Sequence, residues 1–558
     1  MARPQPITLW RSIFWELTRN LLLATSVLVT VIAFAATIKP LADGRLAPFE
    51  ALKFLLLAMP PMLAYALPFA GCFASTLVYH RLSSDNEFVA AAAGGVSHRS
   101  LLVPAAILGV IMFGGMLALN AQIIPRFLVT MQNMITEDVA KILATRINRG
   151  QSVELRKLLV FADRAQPIEL EAGSEARTAL VLARPTVLEC DDAGNVVSEG
   201  SAGRATLWVF PESSTADSGP TTRIAMRFED FASKDVKTGL VTGKTLPVSI
   251  TVPSSLSDDP KFLRSDELRE LRTKPERMSW IDLRRRRLAD ELALRRALDD
   301  MSRSLAAAGS FTLLDAAGRQ VVVRAAAIKP GNNRTWNVIP AAGANIEVDL
   351  LRLEGGGLSR TGGVRYLARS VVLSPDTSDE HPAGEMALRL ELRDVASSPL
   401  NEPGSTDSSK QARVSLASLL APKDQLASLL KLSTFPLLVE SVSSEKDPNI
   451  AVRAGDLRNM IAFLQDEITS RQHERWAVAA SCLVMMITGA VTALRFSRSL
   501  PLTVYLWSFF PALVCVITIS GGQQFARSSG MIGLPLLWAG VGALALYTFW
   551  TYLIVRKH

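Results

Sequence analysis

The residues best suited to chemistry in this 558-residue chain stop short of a reaction centre. Gly239-Leu240-Val241-Thr242-Gly243-Lys244-Thr245 is one residue short of a phosphate-binding loop, which needs four residues between its glycines. It reads as a turn between strands. No G-x-S-x-G nucleophile elbow occurs, and of the two histidines in the polar middle and its exit, His381 and His473, neither has a catalytic motif around it. Cys72, Cys482 and Cys515 lie in apolar runs, which leaves Cys190 alone in the polar middle with no partner for an internal disulfide. Without a CxxC or a histidine cluster, no metal site and no cofactor is expected. Arg284-Arg285-Arg286-Arg287 is a dense positive run with acids nearby, so it reads as a solvated, internally paired helix face; contact with anionic headgroups is the other reading. Asn333-Arg334-Thr335 is a glycosylation sequon by pattern only.

The pattern that suggests an interaction is a short segment, Arg81 to Ser97. Ser84 followed by Glu87 predicts a capping box, in which each side chain satisfies a free N–H of the other's end of the first turn. Ala90 to Ala93 favour helix, and Gly94-Gly95 ends it. Such a helix fits a groove of a soluble partner, or rests on lipid headgroups.

The elements that must position this segment are apolar. A bilayer crossing takes about 20 residues at ~1.5 Å each. Six runs approach or reach that length: Leu21–Ile38, Phe54–Tyr79, Leu101–Leu119, Trp476–Leu494, Leu502–Gly521 and Leu534–Val555. The first run has no convincing small-residue cleavage site and is read as a retained span rather than a signal peptide. Arg3, Arg11, Arg19, Arg81, Arg99, Arg495, Arg498, Arg556 and Lys557 all fall on one side if the N-terminus is inside. The opposite short loops hold only Lys39, Arg45, Lys53 and Arg527, so positive charge predicts cytoplasmic termini. The net charge of +8 is therefore better read as topology than as a nucleic-acid surface.

Between the two sets of spans lies a polar middle. Leu158–Asp163, Ala179–Leu188, Thr206–Phe210 and Ile224–Phe228 are short apolar runs divided by turn residues such as Asp191 to Asn195, a pattern of β-strands in a sandwich or jelly roll. Ser265–Leu305 reads as helix, with Leu294, Leu298, Met301 and Leu305 on one face. A second β-rich region, about Gly309–Arg393, contains two echoes of the first: Leu367 to Leu373 parallels Leu182 to Leu188, and Arg389 to Ser397 loosely parallels Arg227 to Ser233. Duplication is one explanation. Ser374–Gly384 and Ser397–Lys410 read as loops, and Gly455 to Arg475 as a helix leading into the fourth span.

The fold class expected is a polytopic α-helical membrane protein with a 3+3 arrangement and a large extracytoplasmic, jellyroll-like β insert. Its parts are residues 1–120 (first transmembrane half, with the short helix at 82–95), 121–305 (β-domain with trailing helix), 306–454 (second β-rich region) and 455–558 (second transmembrane half).

Several motifs together resemble the lipopolysaccharide export permeases, the LptF/LptG family. Arg81 to Ser97 matches an R-L-S-x-D-x-E-[LF] pattern that runs to G-V-S. Phe14-Trp15-Glu16-Leu17 before the first span, Asn120 to Pro125 after the third and Gly530 to Pro535 after the fifth are similar to the family as well. The resemblance implies a half-transporter of the bacterial inner membrane that pairs with another permease half. It also implies a cytoplasmic ATPase dimer docked on the short helix (Ser84, Asp85, Glu87, Phe88 and Val89), lipopolysaccharide as cargo, and a periplasmic bridge protein that receives it. Hydrolysis of ATP would sit in the partner, so the chain itself is expected not to be an enzyme. Lipid phosphates favour cations at the outer rim; Lys39, Lys53 and Arg126 are the candidates, and ordinary interfacial anchoring is the plainer role for each. The alternative from another class is a membrane-anchored periplasmic scaffold that transports nothing.

Overall fold

The computed structural model describes residues 7–42, 48–136, 144, 147–148, 150, 153–155, 158–168, 176, 178–190, 196–210, 213–215, 218–235, 239–253, 259–315, 319–331, 334–341, 345–354, 357–376, 386–400, 409–421 and 425–557. The expected turn Asp191 to Asn195, His381 and Asn333 lie outside them. The chain divides into two compact units, one of Met1–Thr273, Arg277–Ser279 and Ala462–His558, the other of Lys274–Glu276 and Trp280–Ile461.

In the first unit, the N-terminal helices are α1 (Ile7–Ala42), α2 (Pro48–Ser84), α3 (Glu87–Ala93), α4 (His98–Ala118) and α5 (Ile124–Thr136). A π-helical turn, Leu119–Ile123, joins α4 to α5. Among the described residues, five stretches are long and apolar enough to cross a membrane: Ile7–Lys39, Ala51–Ser84, His98–Thr130, Pro448–Arg495 and Pro501–Arg556. The six expected runs resolve into five stretches because only the 3-10 turn Gly530–Gly533 separates the last two helices, Pro501–Ser529 and Leu534–Lys557.

The bundle is apolar outside and small or weakly polar inside, as expected where lipid offers helices no hydrophobic reason to associate. Leu22, Leu23, Val27, Val31 and Phe34 of α1 are exposed, while Ala70, Ala74, Ala105, Cys482 and Ala490 are buried. A Cβ at Gly489 would collide with Ser75, Thr76 and the Cys72 carbonyl, so this glycine sets a close crossing with α2. Hydroxyls hold other crossings: Thr76 donates to Ser508 at 3.2 Å, and Thr488 bonds Thr548 at 2.6 Å.

The same unit contains a nine-stranded antiparallel sheet of β1 (Val153–Leu155), β2 (Leu158–Phe161), β3 (Arg164–Ile168), β4 (Thr178–Ala183), β5 (Thr186–Cys190), β6 (Val196–Val209), β7 (Ser213–Thr215), β8 (Ser218–Asp235) and β9 (Gly239–Pro253). The expected run Ala179–Leu188 is two strands, because Arg184 takes a φ of 48° and Pro185 cannot donate to a ladder. One long strand, β6, then serves both pieces: β5 pairs with Ser201 to Val196, and β4 with Arg204 to Val209. Gly239 to Thr245 is not a turn; it is the start of β9, with Gly239 opposite Asp235 and Thr245 opposite Glu229.

The first unit also holds α6 (Ser265–Thr273); the second unit is built from α7 (Ser279–Ala308), then β10 (Ser310–Asp315), β11 (Gln320–Arg324), β12 (Ala327–Pro330), β13 (Trp336–Ile339), β14 (Ile346–Glu354), β15 (Gly357–Pro375), β16 (Ala387–Pro399) and β17 (Ser409–Leu420). The loop expected over Ser397–Lys410 is narrower, since Ser397 to Pro399 pair with Tyr366 to Val364. Strand order is β12-β13-β15-β14-β11-β10-β17-β16, and β15 also pairs with β16. That extra pairing closes β10, β11, β14, β15, β16 and β17 into a ring, with β12-β13 added outside. The seam between β10 and β17 is short, with Leu314 opposite Leu420 and Asp315 opposite Leu419. Leu294, Leu298, Met301 and Leu305 of α7 pack on Phe311, Leu313, Val321, Val348, Val371 and Leu390 of the ring.

The arginine run starts α7. Arg285 donates to Asp282 at 2.7 Å and to the Leu430 and Leu432 carbonyls, Arg286 to Asp282 at 2.7 Å, and Arg284 to Asp456 at 3.1 Å. Three of the four guanidiniums are thus spent on structure. On the barrel wall Asp349 takes Arg365 at 2.7 Å and Arg324 at 2.8 Å. Burial pushes its carboxyl up, but the bonds and charges of these two arginines outweigh burial and hold it below the usual carboxylate range. The helices α8 (Gln425–Leu430) and α9 (Thr434–Val442) follow, then α10 (Pro448–Arg495), a single helix that includes the expected Gly455 to Arg475. The last helices are α11 (Pro501–Ser529) and α12 (Leu534–Lys557).

One of the two sequence echoes differs in conformation and the other is alike at one kink. Leu182 to Leu188 breaks at Arg184, whereas Leu367 to Leu373 runs unbroken through β15. In the other pair, Asp230 and Asp394 occupy matching places in long strands, and both have positive φ, 52° and 51°. Asp tolerates this conformation better than a branched residue, which is a local reason for the same residue type at the same kink.

Candidate functional site

The segment Arg81 to Ser97 forms a turn, a two-turn helix and a second turn. α2 continues as helix through Ser84, whose hydroxyl donates back to the His80 carbonyl at 2.9 Å. Ser84 is therefore a helix end and cannot adopt the extended backbone of an N-cap, so the expected capping box with Glu87 does not form. The expected 82–95 helix shrinks to Glu87–Ala93 for the same reason. Asn86 makes the bend instead, with φ 60° and ψ 14°, and offers no side-chain cap. This left-handed geometry suits Asn among non-glycine residues.

At the other end the two glycines do what their types predict. Val96 N–H donates to the Ala91 carbonyl at 3.0 Å and Gly95 N–H to Ala92 at 2.9 Å, with Gly95 at φ 83°. This is the paired closure that a left-handed residue after a helix allows.

Asp85, Glu87 and Val89 are exposed, Val89 at 67%. Phe88 points inward and is the buried residue of α3. Its ring stacks on Tyr79 with centroids 5.8 Å apart and planes 15° apart. Tyr79 is fully buried, and its hydroxyl donates to the Leu101 carbonyl at 2.8 Å. A chain of contact thus runs from α3 through α2 to α4. A surface of Glu87, Val89 and small alanines faces out, anchored by one aromatic pair.

Two motifs separated by 65 positions meet beside it. Arg81 clasps Glu16 with two nitrogens, each 2.7 Å from a carboxylate oxygen. The Phe14-Trp15-Glu16-Leu17 segment and the turn are therefore joined, and Leu17 of that segment is fully buried. Sequence reasoning missed Tyr79 and the Glu16–Arg81 pair. The signal available was opposite charges at the ends of consecutive spans, where a hairpin must bring them together.

The three candidate phosphate contacts are exposed and far apart in sequence. Lys39 sits in the last turn of α1, Lys53 early in α2, and Arg126 in the first turn of α5. Neither Lys39 nor Arg126 has an ion-pair partner among the described residues; Lys53 does have an interaction. By contrast Arg527 lies 3.4 Å from Glu467 and over the Phe463 ring. His473 accepts from the Trp538 indole at 3.3 Å and is a structural contact between helices.

Asn120, the second residue of the π-helical turn, is buried, and Pro125 lies two residues past the end of the turn. The wide turn absorbs an extra residue where the proline removes a ladder donor. After α11, Gly530 has φ 58°, which permits the sharp return into α12.

No curated protein matches the chain. Residues 13–173 match the family model for the lipopolysaccharide export system permease LptF/LptG. The match takes in the Glu16–Arg81 clasp, α3, the π-helical turn and the first strands of the sheet, so this stretch of the chain is similar to the lipopolysaccharide export permease family LptF/LptG.

Proposed function

We propose that this chain is the permease half of an ABC-type exporter that moves lipopolysaccharide, or a similar lipid, from the inner membrane to a periplasmic bridge. The observation that carries the reading is α3: an exposed Glu87-Val89-alanine face, fixed by Phe88 to the helices behind it, within the stretch that matches the permease family. A cytoplasmic ATPase dimer docks on Ser84, Asp85, Glu87 and Val89, and movement of α3 reaches the spans through Phe88 and Tyr79. A second permease half, of the same or a related chain, completes the path.

In this reading the chain crosses the membrane six times, with α11 and α12 as separate crossings and both termini in the cytoplasm. The β-rich middle, residues 121–454, lies in the periplasm, where the first sheet receives the lipid. Lys39, Lys53 and Arg126 face lipid phosphates at the outer rim. The domain limits proposed are 1–120, 121–305, 306–454 and 455–558.

Co-purification tests the reading. Pulled from membranes in mild detergent, the full chain should bring down an ATPase and lipopolysaccharide. Recovery of periplasmic proteins alone, without either, would support the anchored scaffold instead.

A further inference from the structure

A second feature of the bundle has no part in that scheme. α4, α10 and α12 border an open groove of about 450 Å³ lined by Leu102, Val484, Ile487, Val491, Ala545 and Phe549. Its walls run for roughly 10 Å along the helices, from Val484 to Val491 and from Ala545 to Tyr552, at the rise of an α-helix. Thr548, which also borders the groove, is already bonded to Thr488. The end formed by the start of α4 is different. There Arg99 donates through Nε to the Tyr552 hydroxyl at 3.2 Å.

Arg99 is exposed and has no carboxylate partner among the described residues, unlike Arg81 with Glu16. Among the described residues only its Nε is engaged, which leaves the outer nitrogens of the guanidinium to bind something else. Arg556, also exposed, follows Tyr552 by one helical turn. A guanidinium over the end of an apolar groove, with a tyrosine hydroxyl beside it, calls for a ligand that is anionic at one end and hydrocarbon along the rest.

We infer that this groove holds one acyl chain of an anionic glycerophospholipid, whose phosphate accepts from Arg99 and Tyr552. Arg presents its donors in a planar fork that matches phosphate oxygens. The groove opens between membrane-crossing helices, so hydrocarbon is its natural solvent, and a chain laid along Val484 to Val491 covers apolar wall without exposing any polar group. The lipid is resident on one chain's outer surface and is not cargo. Which leaflet supplies it rests on the orientation proposed above; the binding itself does not.

Native mass spectrometry of the full-length chain in detergent tests this, with dioleoylphosphatidylglycerol and dioleoylphosphatidylcholine titrated separately. These carry the same tails and differ in net charge. One phosphatidylglycerol should be retained in preference to phosphatidylcholine. Arg99→Gln should weaken phosphatidylglycerol roughly fivefold, the effect of one cation near an anionic lipid, and remove the preference. Ala545→Trp, which fills the groove, should weaken both lipids, and Arg498→Gln, an exposed cation outside it, should change neither. Glycerol phosphate should not displace the lipid. Each variant is compared only if it elutes as a single species with an unchanged melting temperature; if Arg99→Gln fails this, Tyr552→Phe replaces it, with a smaller expected loss. The inference is overturned if wild type shows no headgroup preference, if Arg99→Gln keeps it, if Ala545→Trp retains lipid normally, or if a second copy of the chain displaces the lipid. Because the readout is lipid retention, none of these outcomes depends on whether an ATPase co-purifies.

Discussion

Removing the ring of Phe88 is the sharpest probe of α3. Seven residues are too few to stay helical in water, so α3 persists because it is docked. Phe88 is its one buried side chain among the described contacts, 9% exposed, and stacks on Tyr79 at 5.8 Å. Burying a phenylalanine is worth about 1.5–3 kcal/mol and an aromatic pair adds about 0.5–1.5 kcal/mol. The site lies at the bundle's edge, so a loss of ~2 kcal/mol is a fair expectation for Phe88→Ala, which corresponds to roughly thirtyfold. Hydrogen exchange in detergent reads this directly, because local opening sets the exchange rate of the α3 amides. The amides that bond within α3 and its closing turn, from Ala90 to Val96, should exchange roughly thirtyfold faster, while those of α4 beyond Leu101 stay as they were. Phe88→Leu keeps most of the burial and loses the stack, so about fivefold is expected. Unchanged exchange at Ala90 to Val96 in Phe88→Ala would refute the anchoring argument, whatever the export activity does.

Glu87 makes no capping hydrogen bond with Ser84, which ends α2, so Glu87→Gln should leave α3 exchange unchanged; if it also lowers lipid-stimulated ATP hydrolysis, the charge serves the partner, and Glu87→Lys should release the ATPase on purification. Glu16 and Arg81 should show a coupling of ~1 kcal/mol in a double-mutant cycle read by thermal unfolding, and additive single substitutions would dismiss the clasp as a surface pair. Asp349→Asn should destabilise the barrel by ~2 kcal/mol near neutral pH, since Arg324 and Arg365 lose their shared carboxylate. Because the folded carboxyl is held below its unfolded value of about 3.9, that stability is full above about pH 4 and is lost as pH falls through the lower folded value. The gap between wild type and variant should therefore close in acid, and a gap that widens there would contradict the assignment. Reporter fusions at Gly309 and Ser529 should read outside and those at Ser84 and Ser497 inside; a cytoplasmic reading at Gly309 would dismantle the proposed topology.

The sequence alone determined what depends on composition over a long window or on a residue type with one outstanding use. Apolar runs marked the spans, because crossing hydrocarbon demands length and hydropathy whatever the neighbours are. Gly94-Gly95 marked the end of α3, because only a left-handed residue closes that turn easily, and the motif from Arg81 to Ser97 pointed to the family whose model matches residues 13–173. The start of α3 was not legible. Ser84 and Glu87 have the spacing of a capping box, but whether Ser84 begins one helix or ends another depends on how far α2 continues, and tertiary packing around Tyr79 decides that. The same holds for the clasp of Glu16 with Arg81, and for Arg184, where a run of apolar residues hides a break between two strands. Ring closure through β15 and β16 was the least visible. Alternation along a strand tells which face is buried but carries no information on which strand lies alongside, since every backbone offers the same donors and acceptors.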